Sequence, residues 1–417
     1  MLGPAPTLAE FPHMQNSRPA EFIALVALLT AMVAMSIDTM LPALGIMATE
    51  LGAYQANDRQ YIILGFFAGM MFGNLIFGPI SDSAGRKPTI YWGLAIYVVG
   101  ALICATAQSF PLLILGRLIQ GFGAASPRVV SMAMVRDGVA GNAMARVMSF
   151  VMSVFMLVPV LAPSIGQLVL FVTSWRWIFI GFIAAAALAA IWLATRQEET
   201  LDLDKRQTFS AAALAASAWE VVRHPVSLGY TLAVGGIFGA FTAYLGTSQQ
   251  IFADQYQQGD YFALWFGGLA IAIAMAMIFN GRSVMEYGMR KISKCALRGF
   301  LLCWAIMVIA NLFTHGHPPL ALVGVFFFIS FFCSGLMFGN YNAMAMEPMG
   351  HIAGMASAIT SFLSSLVAVV FGGIAGYFYD GTLNPLGYTF FAFGLFALVF
   401  SEWAEAGRRK LVTKTAL

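Results

Sequence analysis

The sequence predicts an all-α membrane protein, with twelve transmembrane helices in two pseudo-symmetric six-helix bundles. Three observations carry this. First, 60% of the 417 residues are hydrophobic and only 10% are charged, with a mean hydropathy of +0.80. A soluble domain is about 25% charged, and 22 basic and 19 acidic side chains cannot cover a water-soluble protein of this size. Second, the apolar residues run in long blocks rather than the short alternating segments of a β-barrel. Third, a single long polar stretch near the midpoint splits those blocks six and six. A net charge of +3 supplies no basic patch for nucleic acid.

A spanning helix needs about 20 mostly apolar residues. Blocks of that kind lie at 20–44, 58–79, 88–108, 110–135, 147–171, 176–195, 226–250, 261–280, 295–313, 318–344, 354–378 and 386–403. The expected organisation is an N-terminal bundle over 1–195, a cytoplasmic linker over 196–225 and a C-terminal bundle with a short tail over 226–417. The linker opens RQEETLDLDKRQ, too charged to insert, and continues FSAAALAASAWEVV, which suits a short helix along the membrane surface. The first apolar block is as long as a full span, follows no basic segment and shows no cleavage site, so it reads as a retained helix. Cys104, Cys295, Cys303 and Cys333 fall in or beside apolar blocks without metal-ligand spacing and read as small core residues.

Orientation follows from the cations. With the N-terminus inside, Arg18, Arg86, Lys87, Arg136, Arg146, the linker, the loop around Arg290 and the tail place eighteen of the 22 on the cytoplasmic side. Only Arg59 and Arg176 fall outside, and Arg117 and Arg128 lie within the fourth helix. Both termini are therefore expected in the cytoplasm.

The halves echo one another. GPISDSAGRK follows the second helix and GRSVMEYGMR the eighth, so that at an offset of 203 residues Gly78 matches Gly281, Gly85 matches Gly288 and Lys87 matches Arg290. Duplicated six-helix halves suit a rocking transporter with its substrate site where the repeats meet.

The loop Gly78-Pro79-Ile80-Ser81-Asp82-Ser83-Ala84-Gly85-Arg86-Lys87-Pro88 resembles the G-x-x-x-D-R-x-G-R-R/K signature of the major facilitator superfamily. Four stretches narrow the resemblance to the drug:proton antiporter branch and its Bcr/CflA-like multidrug efflux group. They are Asp38-Thr39-Met40-Leu41-Pro42; Arg117 to Ala125, RLIQGFGAA; Pro159 to Gly166, PVLAPSIG; and Trp175-Arg176-Trp177-Ile178-Phe179. The resemblance implies a secondary transporter in the bacterial inner membrane, working as a monomer. It would export small lipophilic compounds against protons, with the proton gradient as its energy source and no cofactor. The signature loop (Gly78, Asp82, Gly85, Arg86, Lys87) would latch one conformation, with Asp82 engaging neighbouring helix ends. Ser83 stands where the family usually has Arg. Pro159, Pro163 and Gly166 would form the bent fifth helix, with Gln167 replacing a usual second glycine.

Asp38 is the only acid well inside any expected span. An ionised carboxylate in hydrocarbon costs several kcal/mol, so it should face a cavity or a partner. Asp38 lies six residues before the expected outer end of its helix and Arg117 seven after the start of its own, so both should sit about 10 Å deep and pair. Protonation of Asp38 would loosen Arg117, and substrate would compete with the paired state. Arg128 lies eleven residues after Arg117, on the same helix face. It either reaches cytoplasmic water through an open cavity or contacts substrate. Met35, Phe241 and Tyr244 are candidate cavity-lining residues. Glycine patterns (Gly65, Gly69 and Gly73; Gly235 and Gly239; Gly372 and Gly376) permit close helix contact, either at a moving interface or in static packing.

Rival readings are a dedicated carrier of one metabolite or organic anion, which Arg128 would suit, and a membrane enzyme or receptor. Against the latter, the chain shows no metal cluster, nucleophile motif or phosphate loop, and no P-loop for an ATP-driven pump.

Overall fold

The computed structural model describes residues 19–139 and 141–415. His13, Arg18 and the side chains of Arg146 and Lys414 lie outside the described residues. Every regular element among the described residues is helical. Ten segments are long and apolar enough to cross a bilayer. One of them, Leu320–Tyr377, holds two helices joined by a 3₁₀ turn at Glu347–Ile352. A further helix, Phe110–Gly138, has the length but carries Arg117 and Arg128 inside it. The count of crossing helices is therefore the twelve expected.

The chain divides into two compact units, Met1–Gly52 with Gly65–Ser210 and Ala53–Leu64 with Ala211–Leu417. In the first, α1 (Pro19–Asp38) continues through a 3₁₀ turn into α2 (Leu44–Glu50), and α3 (Tyr61–Ala84) runs to the signature loop. There follow α4 (Arg86–Ala105), α5 (Phe110–Gly138), α6 (Gly141–Val172) and α7 (Arg176–Arg196). The second unit begins with α8 (Ala211–Arg223), the short surface helix expected in the linker, and continues with α9 (Pro225–Gln249) and α10 (Phe262–Tyr287). It ends with α11 (Met289–Phe313), α12 (Leu320–Met346), α13 (Ala353–Tyr377) and α14 (Asn384–Thr415).

Glycine sets the helix spacing. In the first unit a Cβ on Gly69 would lie 1.9 Å from the Leu118 carbonyl oxygen, and one on Gly121 1.9 Å from that of Phe66, so α3 and α5 touch backbone to backbone. In the second, Gly235 and Gly239 of α9 meet the side chains of Val367 and Phe371 on α13, and Gly372 meets Thr242. These stripes are packing inside each unit. Gly85 and Gly288, matched by the 203-residue offset, both have positive φ (105° and 76°) and each starts the helix that follows, so the sequence repeat is also a backbone repeat.

Residues 53–64, contiguous with α3, belong to the second unit. Arg59 pairs with Asp254 at 2.8 Å and with Gln249, and Asn57 donates to the Tyr379 carbonyl at 2.6 Å. Gln60 fills the space a side chain at Gly376 would need.

Candidate functional site

The first unit's interior is built around the end of α1. Pro42 lacks an N–H, and its ring collides with the carbonyl four residues back, which belongs to Asp38. The α-helix therefore stops at Asp38, and Leu41–Ala43 form a 3₁₀ turn before α2. Asp38 is 4% exposed, and among the described residues its carboxylate has no hydrogen-bond or ion-pair partner. The next carbonyl, of Thr39, is met by Gly166 of α6, where a Cβ would stand 1.8 Å away. The fifth spanning helix, with Pro159 and Pro163 inside it, thus needs its glycine to sit against the broken segment.

Arg117 is fully buried. Its guanidinium donates to the Ser36 carbonyl at 3.1 Å and to Gln120 Oε1 at 2.7 Å, and lies over the Phe66 ring at 4.5 Å. The expected Asp38–Arg117 ion pair is not formed. The reason is direction. The C-terminal end of the first span is at Glu50 rather than near residue 44, and the amide of Phe110 at the start of α5 bonds the Leu51 carbonyl at 3.1 Å. Measured from that shared level, Asp38 lies several residues deeper along its helix than Arg117 does along its own, but the guanidinium reaches deeper still, to the Ser36 carbonyl. Two residues on a helix are about 200° apart, so a cation on the Ser36 side faces away from the Asp38 side chain.

The family stretches acquire roles here. Besides Arg117, RLIQGFGAA supplies the buried Gln120, Gly121 against Phe66, and Gly123, where a Cβ would come within 2.3 Å of the Tyr97 amide. Trp175 donates to Glu50 at 2.6 Å, Arg176 pairs with the same carboxylate, and Phe179 brings its ring to 6.0 Å from Arg117. Sequence reasoning missed Ser36 and Tyr97. Their hydroxyls lie 2.6 Å apart and join α1 to α4.

The other expected site residues are dispersed. Arg128 is half-buried, and among the described residues its guanidinium has no hydrogen-bond or ion-pair partner. Met35 is half-buried. In the second unit Phe241 is half-buried, its ring 5.8 Å from Phe331. Tyr244 is 1% exposed, enclosed by Phe266, Phe327 and Phe331 at 5.8, 5.1 and 4.7 Å. It therefore packs in an aromatic core and lines no opening.

At the signature loop Arg86 is the hub. It donates to Asp82 Oδ1, to Asp137 Oδ2 at 2.8 Å and to Ser81 Oγ at 2.8 Å. The Asp82 carboxylate thus engages its own loop, and the helix end is capped by Glu199, which sequence reading had left in the charged linker. Glu199 accepts the amides of Arg86 (2.9 Å) and Lys87 (3.1 Å) at the positive end of α4. Lys87 Nζ donates to the Gln197 carbonyl, and the Gln207 amide to that of Asp82. Gly78 has only an ordinary contact with Val129, and Ser83 bonds the Ile80 carbonyl.

A duplicated, nearly all-apolar helical chain with a few buried charges defines a membrane transporter and not an enzyme. The chain belongs to the major facilitator superfamily, whose sequence profile matches residues 26–373. It is 27% identical over 369 residues to a bicyclomycin resistance protein homolog of Haemophilus influenzae, covering 88% of this chain and 92% of that one. It is 26% identical over 378 residues to a chloramphenicol resistance protein of Pseudomonas aeruginosa (85% and 83%). An uncharacterized MFS-type transporter of Bacillus subtilis, YdgK, is 27% identical over 366 residues (87% and 90%). Two of these relatives are named for resistance to drugs, in keeping with the resemblance of the sequence motifs to the Bcr/CflA-like group. The xylose transporter XylE from E. coli shares the fold at a TM-score of 0.69 with 12% identity, over 92% of this chain and 96% of that one.

Proposed function

We propose that the chain is a proton-coupled antiporter that exports small lipophilic compounds from the bacterial cytoplasm. In this reading it sits in the inner membrane as a monomer with both termini cytoplasmic, and the proton gradient is its energy source. The observation that carries the reading is the Asp38 carboxylate, 4% exposed at a helix break and held by no cation among the described residues. A carboxyl group in that setting is costly when ionised and binds a proton in exchange for a change of state. Arg117, on α5, is held at the Ser36 carbonyl of α1, two residues before Asp38. Proton release would draw the cation toward Asp38, and proton uptake would return it to Ser36. Drug and proton, favouring different states of this element, then exchange without ATP. The relatives' names, bicyclomycin and chloramphenicol resistance, support neutral lipophilic drugs as the cargo class.

The test is Asp38→Asn in inverted membrane vesicles. Uphill uptake of drug driven by an imposed pH gradient should fall at least tenfold, while the amount inserted and downhill counterflow persist. Undiminished gradient-driven uptake by the variant would sink the assignment. A second reading, a carrier dedicated to one organic anion, is favoured by the unpaired guanidinium of Arg128. Running the same assay over cationic, neutral and anionic compounds separates a broad exporter from a single-anion carrier.

A further inference from the structure

Ser36 is held twice, by two different helices. Its hydroxyl lies 2.6 Å from Tyr97 Oη on α4 and also donates to the Met32 carbonyl at 2.6 Å. Its carbonyl accepts from Arg117 on α5 at 3.1 Å. Ser36 and Tyr97 are 0% and 1% exposed. In a water-free interior such bonds are strong and directional, and leaving one partner unsatisfied is costly. The clamp stands two residues before Asp38, at the last regular turn of α1, where Pro42 has already removed the bonding that would stiffen the following turn.

The titratable and charged groups sharing this core are Tyr97 and Cys104 on α4 and Arg117 on α5. The neighbouring helices contribute uncharged groups: Phe66 on α3, Gly166 on α6 and Phe179 on α7. Glu50 of α2 is held by Trp175 and Arg176. Of the groups that hold Arg117, the Ser36 carbonyl is the one on α1, two residues before Asp38.

We infer that Tyr97 is a positioning residue for coupling: its hydrogen bond to Ser36 fixes the carbonyl that holds Arg117 away from Asp38, and so keeps Asp38 ready to take a proton. This rests on Asp38 as the coupling group. Removing the phenol oxygen should loosen the Ser36 carbonyl and let Arg117 approach the carboxylate, which a nearby cation favours in its ionised form. Tyr97→Phe should then shift the pH midpoint of drug transport to the acid side, a severalfold to tenfold loss of proton affinity, with little change in drug affinity. Ser36→Ala deletes the same bond from its other end and should give the same shift. The double variant should shift no further than either single one, because the two changes remove one interaction.

The experiment is the pH profile of counterflow and of gradient-driven uptake for wild type, Tyr97→Phe, Ser36→Ala, the double variant and Asp38→Asn, with thermal stability measured beside each. An acid shift common to both single variants and non-additive in the double supports the inference. Unshifted profiles, or single shifts that add, overturn it, including when stability falls. If Asp38→Asn keeps the wild-type pH profile, it is the coupling role of Asp38 that fails.

Discussion

At the start of α4, Arg86 joins Asp82 and Asp137, with Glu199 on the adjoining amides. At the start of α11, Arg290 joins Glu347 at the end of α12 and Glu405 in α14. Glu405 also takes the Tyr230 hydroxyl at 2.5 Å and Arg408 at 3.0 Å. The two units thus repeat a cation at a helix start bound by a carboxylate at the end of the fourth or tenth spanning helix, Asp137 or Glu347. Their interiors do not repeat. Stepping 203 residues from Asp38 arrives at Phe241, and the 210-residue step from Asp137 to Glu347 takes Arg117 to Phe327. The second unit holds rings where the first holds charge, with Trp304, Phe327 and Phe390 within 6.2 Å of one another. Duplication preserved a cation clasp at the starts of α4 and α11 and left the interiors free to diverge. One became the polar site and the other an apolar packing block.

The clasps themselves are unequal, and that yields the largest expected difference. The Arg86 side chain is 7% exposed and that of Arg290 29%. Removing one partner from a buried ion pair costs about 3 kcal/mol or more, because the remaining charges stay buried. Arg86→Gln should lower stability by that amount in a detergent thermal-unfolding series. Arg290→Gln should cost about 1 kcal/mol, since Glu405 keeps Tyr230 and Arg408 and Glu347 is half in water. Equal losses, or the reverse order, would break the proposed asymmetry.

Glycine substitutions come next. Gly69→Ala and Gly121→Ala drive a methyl group to 1.9 Å from a carbonyl oxygen, and neither backbone can yield without moving a whole helix. Gly235→Ala meets Val367 Cβ at 2.7 Å, a milder overlap than 1.9 Å from a carbonyl oxygen. Overpacking costs about 1–3 kcal/mol. The first-unit variants should fall at or beyond the upper end and Gly235→Ala near the lower. Gly181→Ala, which has open space, should be neutral. A folded, fully stable Gly121→Ala protein would overturn the backbone contact.

Most of this scaffold could be read from the chain. A 20-residue apolar block is a strong signal, and the loop glycines at matched offset announce the repeat. The polar site was half legible. Asp38, Arg117 and Gly166 stood out by charge or motif. Their arrangement did not, because hydropathy averages across the break that Pro42 makes and so ends the first span six residues early. That single error put Asp38 and Arg117 at equal depth and predicted a pair. Tyr97 and Ser36 were invisible because two hydroxyls in apolar helices carry no signal until folding sets them 2.6 Å apart. Glu199 was hidden in a charged run, where a capping carboxylate resembles any solvated one.

The smallest effect concerns where the two units meet along the chain. The first unit closes with a carboxylate on a helix start, Glu199 on α4, whereas the second opens with an imidazole, His224, just before α9. Burial holds His224 below its ordinary value of 6.5, and the nearby Glu220 offsets this only in part. Its Nδ1 is buried without a hydrogen-bond partner among the described residues. Because the folded state takes up the proton less readily than the unfolded chain does, stability is full above pH 6.5 and declines as pH falls through that value. His224→Gln should flatten this acid-side decline by a small but measurable amount between pH 7 and pH 5.5. If His224→Gln leaves the acid-side decline as steep as in the wild type, burial of His224 is not its cause.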